Sequence, residues 1–156
     1  MNFQTMNKQR KFILIAAAVG IIAMFLPWVR VSIFGISNSV NGLHGSGILV
    51  LLCFAGAGVV AFLGDQTKNL DKTFWMIALV CGGLATLIMV WNLIDAFSSG
   101  ISSYISIGFY LATAAAIGVL ASAWLFKASG YSIKDGFDSL KHDIEDKTKG
   151  NDAPKA

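Results

Sequence analysis

Residues 73–94 read TFWMIALVCGGLATLIMVWNLI. No charged side chain interrupts the stretch, and it carries only two glycines, at 82 and 83. An apolar helix of about 20 residues spans the roughly 30 Å hydrocarbon core of a bilayer. This stretch is therefore expected to cross a membrane.

Three further stretches read the same way. They run from about Phe12 to Val29, from about Gly47 to Gly64 and from about Tyr104 to Phe126, each without a charge. Composition agrees. Of the 156 residues, 55% are hydrophobic and 13% charged, against about 25% charged in ordinary soluble domains. Mean hydropathy is +0.65. Intrinsic disorder over the whole chain is excluded, because so apolar a chain has ample surface to bury. The pI near 9.0 accompanies a net charge of only +3, which argues against a nucleic-acid partner. The fold expected is an all-α membrane protein: an antiparallel bundle of four transmembrane helices, with a short outer loop cap and a C-terminal amphipathic cytoplasmic helix.

The basic residues fix the expected orientation. Lys8, Arg10 and Lys11 precede the first span, Lys68 and Lys72 lie between the second and third, and Lys127, Lys134, Lys141, Lys147, Lys149 and Lys155 follow the fourth. Arg30 alone falls on the other side. Cytoplasmic flanks collect Lys and Arg, so both termini are expected in the cytoplasm. Residues 1–11 then form a basic cytoplasmic N-terminus, 12–127 the membrane domain and 128–156 a cytoplasmic tail. The first span continues past Ala16–Ala18 to Leu26 and closes on Pro27-Trp28, which reads as an uncleaved anchor rather than a signal peptide.

The first outer loop, from about Arg30 to Ser46, alternates Val31 and Ile33 around Ser32 and contains the turn signal Asn41-Gly42. A hairpin or folded cap is expected there. In the tail, Lys127 to Gly130 reads as a hinge. Ile133, Phe137, Leu140 and Ile144 then recur at spacings of 4, 3 and 4, one stripe of an amphipathic helix over about 132–147. Such a helix is expected to lie on the inner leaflet or to dock on a partner, and Gly150 to Ala156 to be disordered.

Helices in lipid associate through close packing of small residues. These rows are Ala16 and Gly20; Ala57 and Ala61; Ala78, Gly82 and Thr86; and, on the fourth span, both Gly108, Ala112, Ala116 and Ala114, Gly118, Ser122. Two rows on one helix predict neighbours on both its sides, or one neighbour and a homodimer contact. Trp28, Trp91 and Tyr104 are expected at the outer interface, and Trp75 and Trp124 at the inner one, where amphipathic rings collect.

Chemistry is sparse. Membrane enzymes and ion-coupled transporters keep ionisable groups inside the bilayer, and the four stretches contain no Asp, Glu, Lys, Arg or His. No enzyme activity, cofactor or metal site is expected. Asp95, at the outer end of the third span, is a contact candidate together with Arg30 and His44. Cys53 and Cys81 lie mid-span without a Cys-x-x-Cys pair and read as apolar fillers. His142, with Asp138 and Asp146 four residues either side, reads as part of a solvated face. The expected role is a non-enzymatic protein acting through protein–protein or protein–lipid contacts, an accessory subunit or an immunity-type protein, with a homo-oligomer also open. The alternative is a small transporter or channel for a neutral solute or lipid, its path lined by Thr86, Asn92, Thr113 and Ser122 and leading to Asp95.

Pro27-Trp28, the Ser/Asn/Gly loop ending in Gly45 and Gly47, and Ser106-Ile107-Gly108-Phe109-Tyr110-Leu111 resemble a broad group of small, uncharacterised bacterial four-span membrane proteins. The resemblance covers about residues 12–126. It implies a bacterial inner membrane and brings no activity with it. The layout is similar to claudins only in topology, because the paired loop cysteines are missing.

Overall fold

The computed structural model describes residues 4–34, 36–127, 130 and 132–151. They are mostly helical, with α1 (Lys8–Phe25), α2 (Gly47–Phe62), α3 (Lys72–Ser98), α4 (Ile107–Leu125) and α5 (Ile133–Asn151). A two-stranded antiparallel hairpin, β1 (Pro27–Ile33) and β2 (Ile36–Asn41), joins α1 to α2, and a short 3-10 turn (Ser102–Tyr104) precedes α4. Residues 152–156, within the stretch expected to be disordered, lie outside the described residues, whereas Gly150 and Asn151 continue α5.

The first four helices share one core. α1 packs on α2 and α4, and α3 packs on the same two. Phe54, Trp75, Ile13, Met24 and Met89 are fully buried between them, with Ala17, Ala57, Ala78, Ala112, Ala116 and Ala123 as small spacers. The small-residue rows act as spacing implied. A Cβ on Gly82 would stand 2.9 Å from the backbone nitrogen of Leu120, so α3 and α4 touch backbone to backbone there. Gly20 takes the Phe54 ring of α2, while Ala16 faces Gly118 of α4. α4 does have neighbours on both sides, but Gly108 and Gly118, one from each row, both meet the α1 side, at Leu26 and Ala16, while α3 meets Val119 and Leu120; Ala114 is exposed.

Of the four apolar stretches, α3 and α4 form helices long and apolar enough to cross a membrane. The other two fall short for separate reasons. Pro27 disfavours helix at the residue before it, and Leu26 is extended, with ψ 154°. The expected first span to Val29 therefore stops at Phe25, and its last residues become strand β1. At its other end α1 starts at Lys8, capped by the Asn7 side chain accepting from the Gln9 amide at 2.9 Å, so three cationic residues lie inside the helix. α2 has 16 residues, about 24 Å at 1.5 Å per residue. Leu63 is extended and Gly64 has φ +79°, which ends it short of the expected residue 64. α3 is longer than expected, and α4 begins three residues later than expected, after the 3-10 turn.

The hairpin is present in the first loop, but its last strand pair is Ile33 with Ile36, so the chain reverses after Ile33 rather than at Asn41-Gly42, which marks where β2 ends. Phe34 takes φ 51° and is fully exposed at the tip. The base is tied down. The Gly42 amide donates to the Met24 carbonyl at 3.0 Å, the Ser106 amide donates to the Trp28 carbonyl at 2.7 Å, and Val29 bridges to Ile105.

The expected aromatic belt is corrected at two positions. Trp91 and Trp124 are exposed, but Trp28 and Trp75 are buried. An indole N–H under the surface needs an acceptor. Trp28 Nε1 donates to the Ala23 carbonyl at 3.0 Å and Trp75 Nε1 to the Ala123 carbonyl at 2.7 Å. Each of these carbonyls lies near the C-terminal end of a helix, where the intrahelical ladder runs out.

Candidate functional site

Three regions carry the features that the expected role would use: a polar knot at the end where α5 lies, a groove above it, and the exposed faces of the tail helix and hairpin. We call the two ends of the molecule the tail end and the hairpin end.

The polar knot is built from α1. Arg10, counted as a topology marker in the sequence, is fully buried beside the equally buried Gln9. The last carbonyls of α2 and those of the following loop have no helical partners, and Arg10 supplies them. Its Nε donates to the Lys68 carbonyl at 2.9 Å, and its Nη1 donates to the carbonyls of Ala61 (3.3 Å) and Leu63. The Asp71 and Asp65 carboxylates lie near enough to act on its charge. The guanidinium stays charged at any attainable pH.

Gln9 works in both directions. Its Nε2 donates to the Ala123 carbonyl at 3.3 Å and its Oε1 accepts from the Leu70 amide at 3.1 Å. Trp75 shares the Ala123 carbonyl. The Asn7 amide reaches the Gln66 carbonyl at 2.8 Å. One turn of α1 thus stitches α2, the 63–71 loop and α4 together, and Trp75 joins α3 to the same α4 carbonyl. The sequence reading missed this knot. Its signal was Gln9 and Arg10 standing seven or eight residues before the buried Ala17, on the same helical stripe.

A groove of about 820 Å³ opens between α1 and α2 directly beside the knot. Leu14, Ala18 and Ile21 form one wall and Ala55, Val59 and Phe62 the other, with almost no polar surface. Its tail-end limit is Gly64.

The tail stripe is present as a helical face. Phe137, Ile144 and Ile133 are all exposed, at 63%, 58% and 49% of their surface, while Leu140 is half-buried. The helix is held to α3 by a different face. Gly136 is buried against Trp75 and Met76, and Thr73 Oγ1 donates to Asp143 Oδ2 at 2.8 Å. His142 and Asp146 form an exposed pair at 3.5 Å.

The candidate contact residues at the hairpin end stand apart. Arg30 is exposed on β1 opposite Ser39, and Asp95 is exposed near the end of α3. His44 is held by Asn41, whose Oδ1 lies 2.9 Å from Nδ1. Among the described residues no ion pair or hydrogen bond joins these three. His44 instead lines a small pocket of about 200 Å³ with Phe25, Pro27, Ser39 and Asn41.

The four polar residues of the alternative pathway do not converge through their hydrogen bonds. Thr86, Thr113 and Ser122 each donate to the carbonyl four residues back in their own helix. Asn92 does the same to Ile88 and also pairs with Ser46 at 3.0 Å. Cys53 and Cys81 are free, half-buried thiols, with Cys81 Sγ packed near Gly56 one turn along from Cys53. Among the described residues no group of three or more His, Cys, Asp or Glu gathers in a way that would hold a metal ion.

Comparison with known proteins finds no family model, no curated protein and no solved structure that matches the chain.

Proposed function

We propose that the chain is a non-enzymatic integral membrane protein that works through its contact surfaces, as an accessory subunit or an immunity-type protein. In this reading α1 to α4 form a four-span bundle in a bacterial inner membrane, with both termini cytoplasmic. The tail end is then the inner end, and the hairpin is a cap on the outer side. Where α1 and α2 are short, the apolar residues after them, Leu26 to Val29 and Leu63, complete the crossing.

The membrane part of the reading is supported by how little of the apolar surface is buried. Only 22% of the most apolar window of α3 and 44% of that of α4 lie inside the protein. Ile22, Leu52, Leu87, Trp91, Ile107 and Leu125 all point outward. Soluble monomers rarely expose contiguous apolar patches beyond a few hundred Å².

The single observation that carries the contact role is the tail helix. It is fixed to α3 by Gly136 and Asp143, yet it leaves Ile133, Phe137 and Ile144 uncovered. An ordered helix with an uncovered apolar stripe and a charged opposite face suits a membrane surface or a partner groove. The polar residues that a solute path would need are occupied by their own helices, which favours this reading over the transporter.

The test is affinity purification of the tagged full-length protein in a mild detergent, with mass spectrometry, beside Phe137→Ser/Ile144→Ser and a chain ending at Lys127. A stoichiometric partner that both variants lose supports the contact role. A homo-oligomer with no partner, unchanged by both variants, overturns it.

A further inference from the structure

The tail helix lies across α3, and its uncovered stripe has a direction. Gly136 packs on Trp75 and Met76, and Asp143 meets Thr73. From Gly136 to Asp143 the helix rises about 10 Å, while its partners on α3 shift by only about 4.5 Å. α5 therefore passes obliquely over the first turns of α3 rather than beside them. The path has a sense as well. Trp75 reaches the Ala123 carbonyl of α4, whereas Phe74 approaches Gly64, just past α2. Early α5 lies on Trp75 and Met76, and Leu140 and Ile144 further on share a cleft with Phe74 and Ile77. The helix thus crosses the outer face of α3 from the α4 side to the α2 side.

A right-handed helix on that path, with Gly136 and Asp143 against α3, turns the next quarter of its surface toward the hairpin end. At about 100° per residue, Ile133, Phe137 and Ile144 fall in that quarter. They look along the flank on which Val80 and Leu84 of α3 are exposed. Asp135, His142 and Asp146 fall on the opposite side, away from the bundle. Cations border the stripe. Lys134 and Lys141 stand on its free side, and Lys141 lines the same trough of about 400 Å³ as Phe137, Leu140 and Ile144. Lys147 follows Ile144 on the α3 side. All three lysines are exposed, and none makes an ion pair among the described residues.

Apolar side chains toward the apolar flank, lysines at the border and carboxylates beyond repeat the layers of a bilayer surface: hydrocarbon, phosphate, water. Asp135 and Asp146 stand about a helix diameter, 10–12 Å, from the stripe, beyond the screening length of about 8 Å at physiological salt. A second copy fits less well. Two tail helices meeting stripe to stripe about a twofold axis along the bundle run antiparallel, which sets Lys134 and Lys141 beside the same lysines of the other copy.

We propose that α5 is an interfacial helix seated on anionic phospholipid of the inner leaflet, with Ile133, Phe137 and Ile144 at the acyl boundary and Lys134 and Lys141 against the headgroup phosphates. This rests on the membrane part of the reading above and needs no protein partner. Lysines at the edge of an apolar face extend their stems along it and hold their charge at phosphate depth.

The experiment is hydrogen–deuterium exchange with mass spectrometry on the full-length protein, one copy per nanodisc, in phosphatidylcholine alone and in equal phosphatidylcholine and phosphatidylglycerol. The α5 amides are expected to exchange about tenfold more slowly in the mixed bilayer, the order that one or two lysines near an anionic surface support. Lys134→Gln/Lys141→Gln is expected to remove that difference. Phe137→Ser/Ile144→Ser is expected to speed α5 exchange in both bilayers, with α1 to α4 unchanged in either variant. Equal α5 exchange by the wild type in the two bilayers, or a lipid difference that survives the lysine variant, overturns the proposal. Slow exchange that needs two copies per nanodisc overturns it in favour of a dimer. A protein captured through the stripe in the purification above, with α5 unprotected in nanodiscs, overturns it and leaves the contact reading standing. Carbonate extraction tests the level beneath. A chain released into the supernatant refutes the membrane reading, whereas one that stays in the pellet without a lipid difference refutes this proposal alone.

Discussion

The two ends of the molecule close their helices by different means. At the tail end, side chains do it: Arg10, Gln9 and Trp75 reach into the carbonyls of α2, α4 and the loop between α2 and α3. At the hairpin end, backbone does most of it. Strand pairing, the Ser106-to-Trp28 hydrogen bond and the Gly42-to-Met24 hydrogen bond tie the cap to α1 and α4. Side-chain closure concentrates stability in a few residues, and each becomes expensive to replace. Backbone closure spreads it, so the cap tolerates change in its side chains and leaves its tip free. The fully exposed Phe34 sits at that tip, and the fully buried Arg10 sits at the opposite end.

The largest expected effect falls on the tail end. Arg10→Met strands three carbonyls and should cost about 3 kcal/mol. Thermal unfolding in detergent, followed by circular dichroism, measures it; a loss no larger than that of a cap variant would erase the contrast between the ends. Next is the helix contact that both ends share. Gly82→Val drives a side chain into the Leu120 backbone and should cost about 2 kcal/mol, because the neighbour is main chain and cannot step aside. Trp75→Phe keeps the ring packed and removes the donor to Ala123. A loss of about 1 kcal/mol is expected by the same assay.

At the hairpin end the sign should reverse. Phe34→Gly relieves a left-handed backbone that a bulky side chain adopts at a cost of about 1–2 kcal/mol. The variant should unfold at a slightly higher temperature, and an unchanged or lower midpoint would mean that the exposed ring contributes contacts of its own. The smallest effect concerns Asp65, whose carboxyl lies below the ordinary range because Thr67 donates to it from its hydroxyl and its amide. A depressed carboxylate contributes stability that is fully present above its unfolded pKa and is lost as pH falls through the folded one. Asp65→Asn should therefore lower stability slightly at neutral pH, meet the wild type in acid, and so flatten the acid side of the stability profile. The full acid slope surviving in the variant would assign it to other carboxylates.

Much of the architecture was legible in residue character. The apolar run at 73–94 lies within α3, and the tail spacing of 4, 3 and 4 lies within α5, because both are local patterns repeated over several turns. Element ends were less legible. Pro27 closes the first span, but its restriction on Leu26 moves the helix end to Phe25 and gives three residues of the apolar stretch, Pro27 to Val29, to a strand. Apolar alternation looks the same inside lipid and at a hairpin base, so composition alone does not separate them. The candidate site was legible in part. The tail stripe was read from its period, while Arg30, His44 and Asp95 were grouped by side of the membrane, and the structure leaves them unconnected by any hydrogen bond or ion pair among the described residues.

What the sequence by itself determined is the set of apolar segments, the lopsided distribution of Lys and Arg, and the amphipathic tail. Each depends on residue type and on a period of a few positions. What only the tertiary structure decided is which of those cations is buried, which tryptophans leave the surface, and where a groove ends. Arg10 meets the Lys68 carbonyl across 58 positions of sequence, and Gln9 meets Ala123 across 114. A charge next to an apolar helix is ordinarily a solvated flank. It becomes a structural cation only when the end of another helix and the loop after it bring their unpaired carbonyls to it, and no local pattern encodes that meeting.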